Sequence, residues 1–299
     1  MQNAIGMNKP NVCVWSNMIR QSFVETKPTL YLISTPIGNL KDITLRALET
    51  LKTVQVIFAE DTRNTLKLLS HYEISKPVKS YHEHNKVSAG QEILKHLENG
   101  DSVGLVTDAG TPAISDPGYE VVQLVKDRFP VVPIPGASAV LAALVASGLV
   151  PQPFTFFGFL DRTTSKRQLA LNKLSGLPHT LVFYERGDRV KDTLEDMKAV
   201  LGNRLVVLAK ELTKQFETFY EGDIDALLNA DIHEKGEFVI LVSGKPDSAT
   251  STGDILTDVK EYVLIGYTEK EAIKKVASEL GVHKNEVYQQ VVKAGGIKK

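Results

Sequence analysis

The sequence has little cysteine, no excess of charge and no long apolar run. A single cysteine, Cys13, in 299 residues excludes an intramolecular disulfide framework and cysteine-rich zinc sites, and it fits a reducing cytoplasm. The 35 Lys and Arg residues balance 36 Asp and Glu, giving a net charge of −1, so a nucleic-acid partner would need a local basic patch. No stretch approaches eighteen consecutive apolar residues, and we expect no membrane association.

What is present is typical of a globular protein. Hydrophobic residues make up 42% of the chain and charged residues 24%, and the length suits about two domains. The first 28 residues are polar and aperiodic and lack the order of a secretory signal, so we interpret 1–28 as a flexible arm. Met18 could be the natural start, and we expect residues 1–17 to be dispensable for stability.

Strands and helices alternate from Thr29 onward. Short apolar runs predict buried strands at TLYLIS, VQVIFAE, VKSY, SVGLVTD and VVPI, with helical patterns between them. The first helix is predicted to have Asp42 as its N-cap and an apolar face of Leu45, Leu48 and Leu51. Such alternation predicts an N-terminal α/β domain with a parallel sheet over residues 29–149.

The second half begins where Pro-Gln-Pro breaks the chain near Val150. Strands are predicted at FTFFGFL, TLVFYE, RLVVLAKE, QFETFYEG and GEFVILVSG, with too few helices between them for an all-parallel order. We therefore predict a second α/β domain over 150–245 with a mixed sheet, in which the strands near 205–220 pair antiparallel. A polar linker is predicted over 246–258.

The C-terminal segment 259–299 is predicted to form a pair of helices that resembles a helix-turn-helix. Thr268 and Glu271 make a capping box, and Gly281 separates the two helices. Lysines make the segment locally basic, so it is either a small structural cap or a phosphate-binding element.

Three loops that follow predicted strands have the composition of ligand-binding turns. They are STPIGNL (34–40), TDAGTPAISDPG (107–118) and PGASA (135–139). Asp108 and Asp116 of the second loop could accept hydrogen bonds from hydroxyl or cationic groups. Loops at the carboxyl ends of parallel strands bind ligands, so we expect one cleft. Because no G-x-G-x-x-G or Walker-type motif follows any strand, ordinary dinucleotide and P-loop sites are disfavoured.

Two further segments, AEDTRN (59–64) and SYHEHN (80–85), gather acids, an arginine and two histidines near strand ends. His82 and His84 would share a face of a strand, but two histidines alone make a weak metal site. Acid–base or substrate-orienting chemistry and a plain solvated loop are both open, since histidine titrates near neutrality.

Taken together and in order, these motifs resemble the tetrapyrrole methylase superfamily of S-adenosylmethionine-dependent methyltransferases. The resemblance extends over about residues 29–245 and rests on TPIGNLKDITLRALETL, AEDTRNT, SYHEHN, TDAGTPAISDPG, PGASA, FFGFL, TLVFYE and ELTKQFET. The T-P-I-G-N and Y-H-E-H-N segments point to its ribosomal RNA small subunit methyltransferase I branch. The sequence departs from that pattern at GFLDR, at Asp188 in YERGDR and at Lys210.

The resemblance implies a two-domain tetrapyrrole-methylase-like fold with S-adenosylmethionine folded between the domains. The cofactor-binding residues it implies are Pro36, Ile37, Gly38, Asp108, Ala109, Gly110, Thr111, Ile114, Ser138, Ala139, Tyr184, Glu185 and Leu212. The catalytic candidates are Asp61, His84 and Glu211. The substrate-binding candidates are Arg63, His82, Arg162, Arg167 and Lys214, and no metal is expected.

The reaction that the resemblance implies is 2′-O-methylation of a cytidine in the decoding region of 16S rRNA. The partner is then the small ribosomal subunit, and the enzyme is expected to be a cytoplasmic homodimer. Two alternatives remain at this stage. One is a porphyrinoid or precorrin C-methyltransferase of the same superfamily, and the other is a non-catalytic regulator that binds nucleic acid.

Overall fold

The computed structural model describes residues 27–245, 254–264 and 267–294, together with Ile19 and Ser22. The predicted arm over 1–28 lies almost wholly outside the described residues, and the residues 1–17 that were expected to be dispensable lie wholly outside them.

The first sheet has five strands in the order β3-β2-β4-β1-β5. Their bounds are β1 Leu30–Ile33, β2 Val56–Ala59, β3 Val78–Ser80, β4 Val103–Val106 and β5 Val131–Ile134. All four pairings are parallel, as predicted.

Helices follow the strands of this sheet and cover it. They are α1 Leu45–Thr53, α2 Thr62–His71, α3 Lys86–Glu98, α4 Tyr119–Val125 and α5 Ala139–Ala146. Successive residues of a strand point to opposite faces, so Phe58 packs in a core with Ile93, whereas its neighbour Ile57 packs with Leu51 in a second core. Apolar residues on both faces explain why the strands appear as continuous hydrophobic runs in the sequence.

The start of α1 differs from the prediction. Thr44 caps the helix, because its hydroxyl accepts a hydrogen bond from the Ala47 N–H, and Asp42 lies in a short 3₁₀ helix, Leu40–Asp42. Leu45 is 79% exposed and does not belong to the buried face. The apolar spacing located the helix correctly, but spacing alone does not fix the residue at which a helix begins.

The second sheet also has five strands, in the order β6-β7-β10-β8-β9. The strands are β6 Phe154–Phe159, β7 Thr180–Arg186, β8 Leu205–Lys210, β9 Thr218–Asp223 and β10 Glu237–Val242. β6 and β7 are parallel. The backbone bonds from Ser243 to Leu205 and from Glu211 to Glu237 join opposite ends of β8 and β10, which makes that pair antiparallel. The predicted mixed sheet is confirmed.

Three helices accompany this sheet and three more form a separate C-terminal cluster. The former are α6 Thr164–Leu174, α7 Val190–Leu201 and α8 Ile224–Leu228, and the latter are α9 Ile255–Leu264, α10 Glu269–Glu279 and α11 Lys284–Lys293. The predicted capping box of α10 is present. The predicted linker is wrong at its end, because residues 255–258 begin α9, and the predicted pair of helices is a three-helix cluster.

The C-terminal cluster has a core of its own. Val259 and Tyr262 of α9 pack with Val276 of α10 and with Val287 and Val291 of α11. The apolar residues of α9 recur at helical spacing, and burying them against two other helices explains why this segment is folded rather than extended.

The chain divides into two compact units. The first comprises residues up to Ser147 together with 209–219 and 236–239, and the second holds 148–208, 220–235 and 240–299. This division is discontinuous in sequence, unlike the predicted boundaries at 29–149 and 150–245. Among the described residues, none of the helices has both the length and the apolar character needed to cross a membrane.

Candidate active site

The three ligand-type loops of the first unit meet at the carboxyl edge of its parallel sheet. Thr35 and Gly110 exchange two backbone hydrogen bonds of 2.8 and 3.2 Å. The hydroxyls of Ser34 and Thr111 lie 2.9 Å apart. A Cβ atom at Gly136 would lie 2.8 Å from the Ser34 Cβ, so the third loop also passes close to the first. The loops after β1, β4 and β5 therefore form one surface.

A cavity of about 400 Å³ opens where the loops after β1 and β4 meet. These two strands are neighbours in the sheet. The connection after β1 runs to β2 on one side of the pair, and the connection after β4 runs to β5 on the other side. Open parallel sheets bind ligands at such a switch point. The cavity is lined by residues of the first unit, namely Thr35, Pro36, Ile37, Gly38, Leu40, Asn64, Thr65, Lys67, Leu68, Thr107, Asp108, Ala109, Lys214 and Glu237.

Many of the predicted cofactor residues lie at this cavity. Pro36, Ile37, Gly38, Asp108 and Ala109 line it, and so does Lys214, which was predicted to bind substrate. Next to them in the chain are Gly110 and Thr111, which the hydrogen bonds to Thr35 and Ser34 hold in place.

The predicted residues of the third loop lie at the start of α5. Ser138 is the N-cap of this helix, and its hydroxyl accepts a hydrogen bond from the Leu141 N–H at 3.5 Å. Ala139 is the first residue of the helix. Ile114 is 51% exposed.

The segment 211–214 closes one side of the cavity. A Cβ atom at position 38 would lie 2.6 Å from Lys214 Cγ and 3.0 Å from the carbonyl oxygen of Leu212, so only glycine fits beneath this segment. Glu211 and Thr213 both have positive φ angles, +50° and +66°, which non-glycine residues rarely adopt. Backbone strain of this kind is concentrated at functional sites.

Glu211 is held by an ion pair at the cavity wall. Its Oε1 accepts a hydrogen bond from Lys214 Nζ at 3.0 Å and another from the Glu237 N–H at 3.2 Å. Burial raises the pKa of Glu211, but the bonds from Lys214 and Glu237 and the nearby positive charge outweigh it, so the pKa lies below its usual value. Glu211 is better placed to fix Lys214 than to accept a proton.

Asp61 is engaged in a similar way. It caps α2, and its two carboxylate oxygens accept bonds from the Arg63 guanidinium at 3.1 and 2.7 Å. The side-chain bond from Arg63, followed by its backbone N–H bond, lowers the pKa of Asp61 to about 2. A carboxylate that weakly basic is a poor proton acceptor near neutral pH. The structure therefore gives Asp61 a capping role and argues against general-base catalysis.

His82 and His84 lie on a turn between β3 and α3. Their rings are 6.0 Å apart, and His84 is exposed. Asn85 holds the turn, accepting a bond from the His82 N–H at 2.7 Å. Within the part of the chain that the structure describes, no group of three His, Cys, Asp or Glu side chains is arranged to hold a metal ion.

Carboxyl groups lie at and near Thr107, a residue of the cavity wall. Glu60 directly follows β2 and Thr107 directly follows the neighbouring β4, so parallel pairing sets them side by side. The Thr107 hydroxyl donates to Glu60 Oε2 at 2.6 Å. Burial, followed by the charge of Glu60, raises the pKa of Asp116 to about 7.

Asp108 completes this group at the cavity wall. Its two oxygens accept bonds from the Asp61 N–H and the Asn64 amide, each at 3.2 Å. Desolvation raises its pKa above the usual value, although the bond from Asn64 acts in the opposite direction. A polar carboxylate at the wall of a cavity is suited to accept hydrogen bonds from ligand hydroxyls.

The remaining predicted residues belong to the second unit. Tyr184 packs against Phe156 and Phe159, with ring centroids 4.9 and 5.4 Å away. Glu185 is 2% exposed, and its oxygens accept bonds from the Thr193 hydroxyl at 2.7 Å and the Arg186 N–H at 2.9 Å. These contacts give Glu185 a role in packing β7 against α7.

The interpretation of Arg167 as a phosphate-binding residue is wrong. Arg167 is 3% exposed, and its Nε lies 2.5 Å from Asp196 Oδ2 in a buried ion pair between α6 and α7. Its other nitrogens reach backbone carbonyls, including those of Asp161 and Arg162. Arg162 itself is exposed, so Arg162, unlike Arg167, is accessible to a phosphate.

Comparison with known proteins identifies the family. The sequence profile of the family described as Tetrapyrrole (Corrin/Porphyrin) Methylases matches residues 29–228, more than half of the chain. The chain belongs to the tetrapyrrole methylase family. Members of this family depend on S-adenosylmethionine, which is therefore the methyl donor of this enzyme.

Curated relatives narrow the comparison within the tetrapyrrole methylases. The chain is 45% identical over 273 residues to a Halalkalibacterium halodurans protein named Ribosomal RNA small subunit methyltransferase I, covering 88% of this chain and 94% of the relative. A Bacillus subtilis protein of the same name is 47% identical over 270 residues, covering 87% and 92%.

Solved structures support the fold at much lower identity. A crystal structure of diphthine synthase matches with a TM-score of 0.57 at 14% identity, covering 72% of this chain and 90% of that one. The uroporphyrin III C-methyltransferase of Thermus thermophilus matches with a TM-score of 0.51 at 18% identity, covering 72% and 97%. The chain thus shares its fold with these two proteins.

The cavity of the first unit fits a nucleoside-type donor. Its volume of about 400 Å³ lies within the range of small-molecule sites, roughly 300–1,000 Å³. The exposed backbone of two tight turns and the carboxylate of Asp108 supply donors and acceptors for ribose and base groups. Glycine at position 38 leaves room for the close approach of the 211–214 segment.

Several residues of this cavity were not predicted from the sequence. Asn64 and Leu68 come from α2, at a helical spacing that places both on one face, but only Asn64 lies within the AEDTRN segment that the sequence analysis singled out. Glu237 comes from the start of β10, far along the chain, and no sequence motif marked it.

Proposed function

We propose that this chain transfers the methyl group of S-adenosylmethionine to the 2′-hydroxyl of a cytidine ribose in the decoding region of 16S rRNA. The observation that carries the proposal is the similarity to proteins named Ribosomal RNA small subunit methyltransferase I, at 41–47% identity over nearly the whole chain. Porphyrin-methylating neighbours in the same family share only the fold, at 18–19% identity for those named. This contrast favours RNA over a porphyrinoid as substrate.

The chain's own residues have three tasks in such a reaction, which are to hold the donor, to close the cavity and to accept a proton. The donor supplies an activated methyl group on a sulfonium sulfur. The turns after β1 and β4 hold the donor against the sheet edge, with Asp108 as an acceptor for its hydroxyls. Lys214, fixed by Glu211, closes the cavity and limits the access of water, which favours transfer to a positioned oxygen. A proton acceptor must also take the hydroxyl proton.

The test is methyl transfer from labelled S-adenosylmethionine, with three acceptors offered in parallel. These are small ribosomal subunits that lack the modification, naked 16S rRNA and uroporphyrinogen III. We expect label in 16S rRNA, recovered after nuclease digestion as 2′-O-methylcytidine. Label only in the porphyrinogen would contradict the proposal, and label in the base rather than the ribose would contradict its chemistry.

The exposed lysines of α10 and α11 in the C-terminal cluster are expected to bind RNA phosphates. They are Lys270, Lys274, Lys284 and Lys293. Replacing all four with glutamine should weaken binding to the ribosomal substrate while leaving donor affinity unchanged. The slope of log Kd against log salt should fall by about 0.7–0.9 for each phosphate that a lysine no longer neutralises. Filter binding over a salt series measures this slope.

A matched control changes the charge equally at other exposed lysines. These are Lys52, Lys95, Lys173 and Lys198. If both sets of substitutions alter the salt slope alike, the lysines act only through net charge and the C-terminal cluster has no special role in binding RNA.

The proposed substrate also places the enzyme in the cytoplasm, where small ribosomal subunits are found. A homodimer is proposed on the family resemblance, and sedimentation analysis of the purified chain distinguishes a dimer from a monomer.

A further inference from the structure

An aromatic side chain lies exposed close to the cavity wall. Phe216 is 73% exposed, the largest fraction of any aromatic residue that the structure describes. It follows Lys214, a residue of the cavity wall, by two positions, so their Cα atoms are at most about 7.6 Å apart. An exposed phenylalanine by itself needs no explanation in a globular protein. The backbone that carries this one, however, is held in an unfavourable conformation.

Two consecutive turns that share Lys214 carry the exposed ring. The Lys214 N–H donates to the Glu211 carbonyl at 3.0 Å, and the Glu217 N–H donates to the Lys214 carbonyl at 3.2 Å. Each bond closes a turn of four residues, and Phe216 is the third residue of the second turn. The third residue of the first turn is Thr213, whose φ angle of +66° is one that turns usually assign to glycine.

Side-chain bonds also hold the second turn. The Glu217 carboxylate accepts a hydrogen bond from the Thr213 N–H at 2.6 Å, and the Thr218 hydroxyl donates to the Phe216 carbonyl at 3.0 Å. A phenylalanine ring contributes nothing to a turn, where small and polar residues dominate. The backbone on both sides of Phe216 is thus held in place, while the ring remains open to contact with another molecule.

The charges at the turn indicate what that molecule presents to the ring. Lys214 Nζ lies 3.0 Å from Glu211 Oε1 and 3.7 Å from Glu237 Oε2. A third carboxylate, that of Glu217, directly follows Phe216 in the chain. Three carboxylates against one ammonium group repel the phosphates of RNA, whereas the face of a nucleobase carries no net charge. Aromatic side chains stack on such bases where an RNA strand is unpaired.

We propose that Phe216 stacks on an unpaired base of the rRNA and so positions the target ribose at the cavity. The inference rests on the proposed function. A base and its ribose are joined by one bond, so a base held at this turn brings its ribose close to the wall that contains Lys214. Stacking tolerates any base, so Phe216 supplies position and not sequence specificity. It takes no part in bond making and is a positioning residue.

The first test compares Phe216→Ala with the wild-type enzyme on small ribosomal subunits. We expect kcat/KM to fall about 5- to 150-fold, mainly through KM, since this is the effect of losing one stacked base. Donor affinity by calorimetry should change less than twofold. Phe216→Trp should retain activity, and Phe216→Leu, which is apolar but cannot stack, should not. Leu169→Ala removes a 60% exposed apolar side chain of α6 and should change neither constant.

The second test detects stacking directly by fluorescence. The chain has a single tryptophan, Trp15, so Trp15→Phe combined with Phe216→Trp places a unique fluorophore at the turn. An oligoribonucleotide with the decoding-region sequence should quench this fluorophore. Polyphosphate, a polyanion without bases, should not quench it at the same ionic strength. A control with the fluorophore at position 169, Trp15→Phe combined with Leu169→Trp, should respond to neither. Equal quenching by RNA and polyphosphate at the turn would contradict stacking.

The outcomes separate this inference from the proposed function. If the wild-type enzyme transfers no methyl group to 16S rRNA, the proposed function is wrong. If it forms 2′-O-methylcytidine and Phe216→Ala does so with the wild-type kcat/KM, only the role of Phe216 is wrong. If Phe216→Ala instead changes the sedimentation of the purified chain, the ring belongs to a contact between protein copies, and its role in stacking is overturned.

Discussion

Replacing Gly110 with leucine is expected to weaken binding of S-adenosylmethionine roughly 10- to 100-fold, because overpacking a site costs about 1–3 kcal/mol. Gly110 has a φ angle of +82° and is paired with Thr35 at the cavity. A Cβ atom there would lie 3.6 Å from Ile37 Cγ2, so a larger side chain pushes Ile37 toward the donor site. Titration calorimetry with purified protein measures the affinity.

Gly100 provides a control for backbone strain alone. It follows α3 with a φ angle of +96°, and a Cβ atom there would meet no other atom within 4 Å. Gly100→Leu should therefore lower the melting temperature to a similar extent and leave donor affinity intact. Equal losses of affinity in the two variants would show that instability, and not the cavity, explains the effect of Gly110→Leu.

Replacing Arg167 with methionine is expected to destabilise the protein by about 3–5 kcal/mol, since it leaves a buried carboxylate without its partner. Asp196 is 6% exposed and would retain only the bond from the Gln168 amide at 2.7 Å. Denaturant unfolding monitored by circular dichroism measures the loss.

Two further variants distinguish the ion pair from other effects of the substitution. The double variant Arg167→Met with Asp196→Leu should recover most of the lost stability, because no charge is then left unpaired. Lys166→Met removes an exposed lysine 3.8 Å from Asp161 and should change stability by less than about 1 kcal/mol. A single Arg167→Met variant as stable as the wild type would contradict the buried pair.

The elements that the sequence predicted well are those whose signal is local. Each strand of the first sheet is a short run of apolar residues, such as Val103–Val106, and burial on both faces requires nothing else. The capping box of Thr268 and Glu271 is likewise contained within one turn of helix. The loops at the cavity were found for the same reason, because glycine and proline mark turns directly.

The errors concern partners that lie far apart in the chain. Arg167 is part of a basic, polar stretch that has the composition of a solvated loop, and its burial depends on Asp196, which no local pattern connects to it. Likewise, no local pattern connects Glu60 with Thr107, which the pairing of β2 and β4 brings together. The start of α9 was different, because Ile255 has helical spacing with Val259 and Tyr262, and the linker placed by composition over 246–258 overrode that spacing.

The discontinuity of the first unit imposes an order on events during synthesis. Both glycine-bearing turns of the cavity are present once translation has passed Ser147, but the wall that contains Lys214 and Glu237 is encoded much later. A nascent chain cannot complete the cavity until Glu237 has been added. Because this cavity is the proposed donor site, fragments that end at Ser147 are expected not to bind the donor.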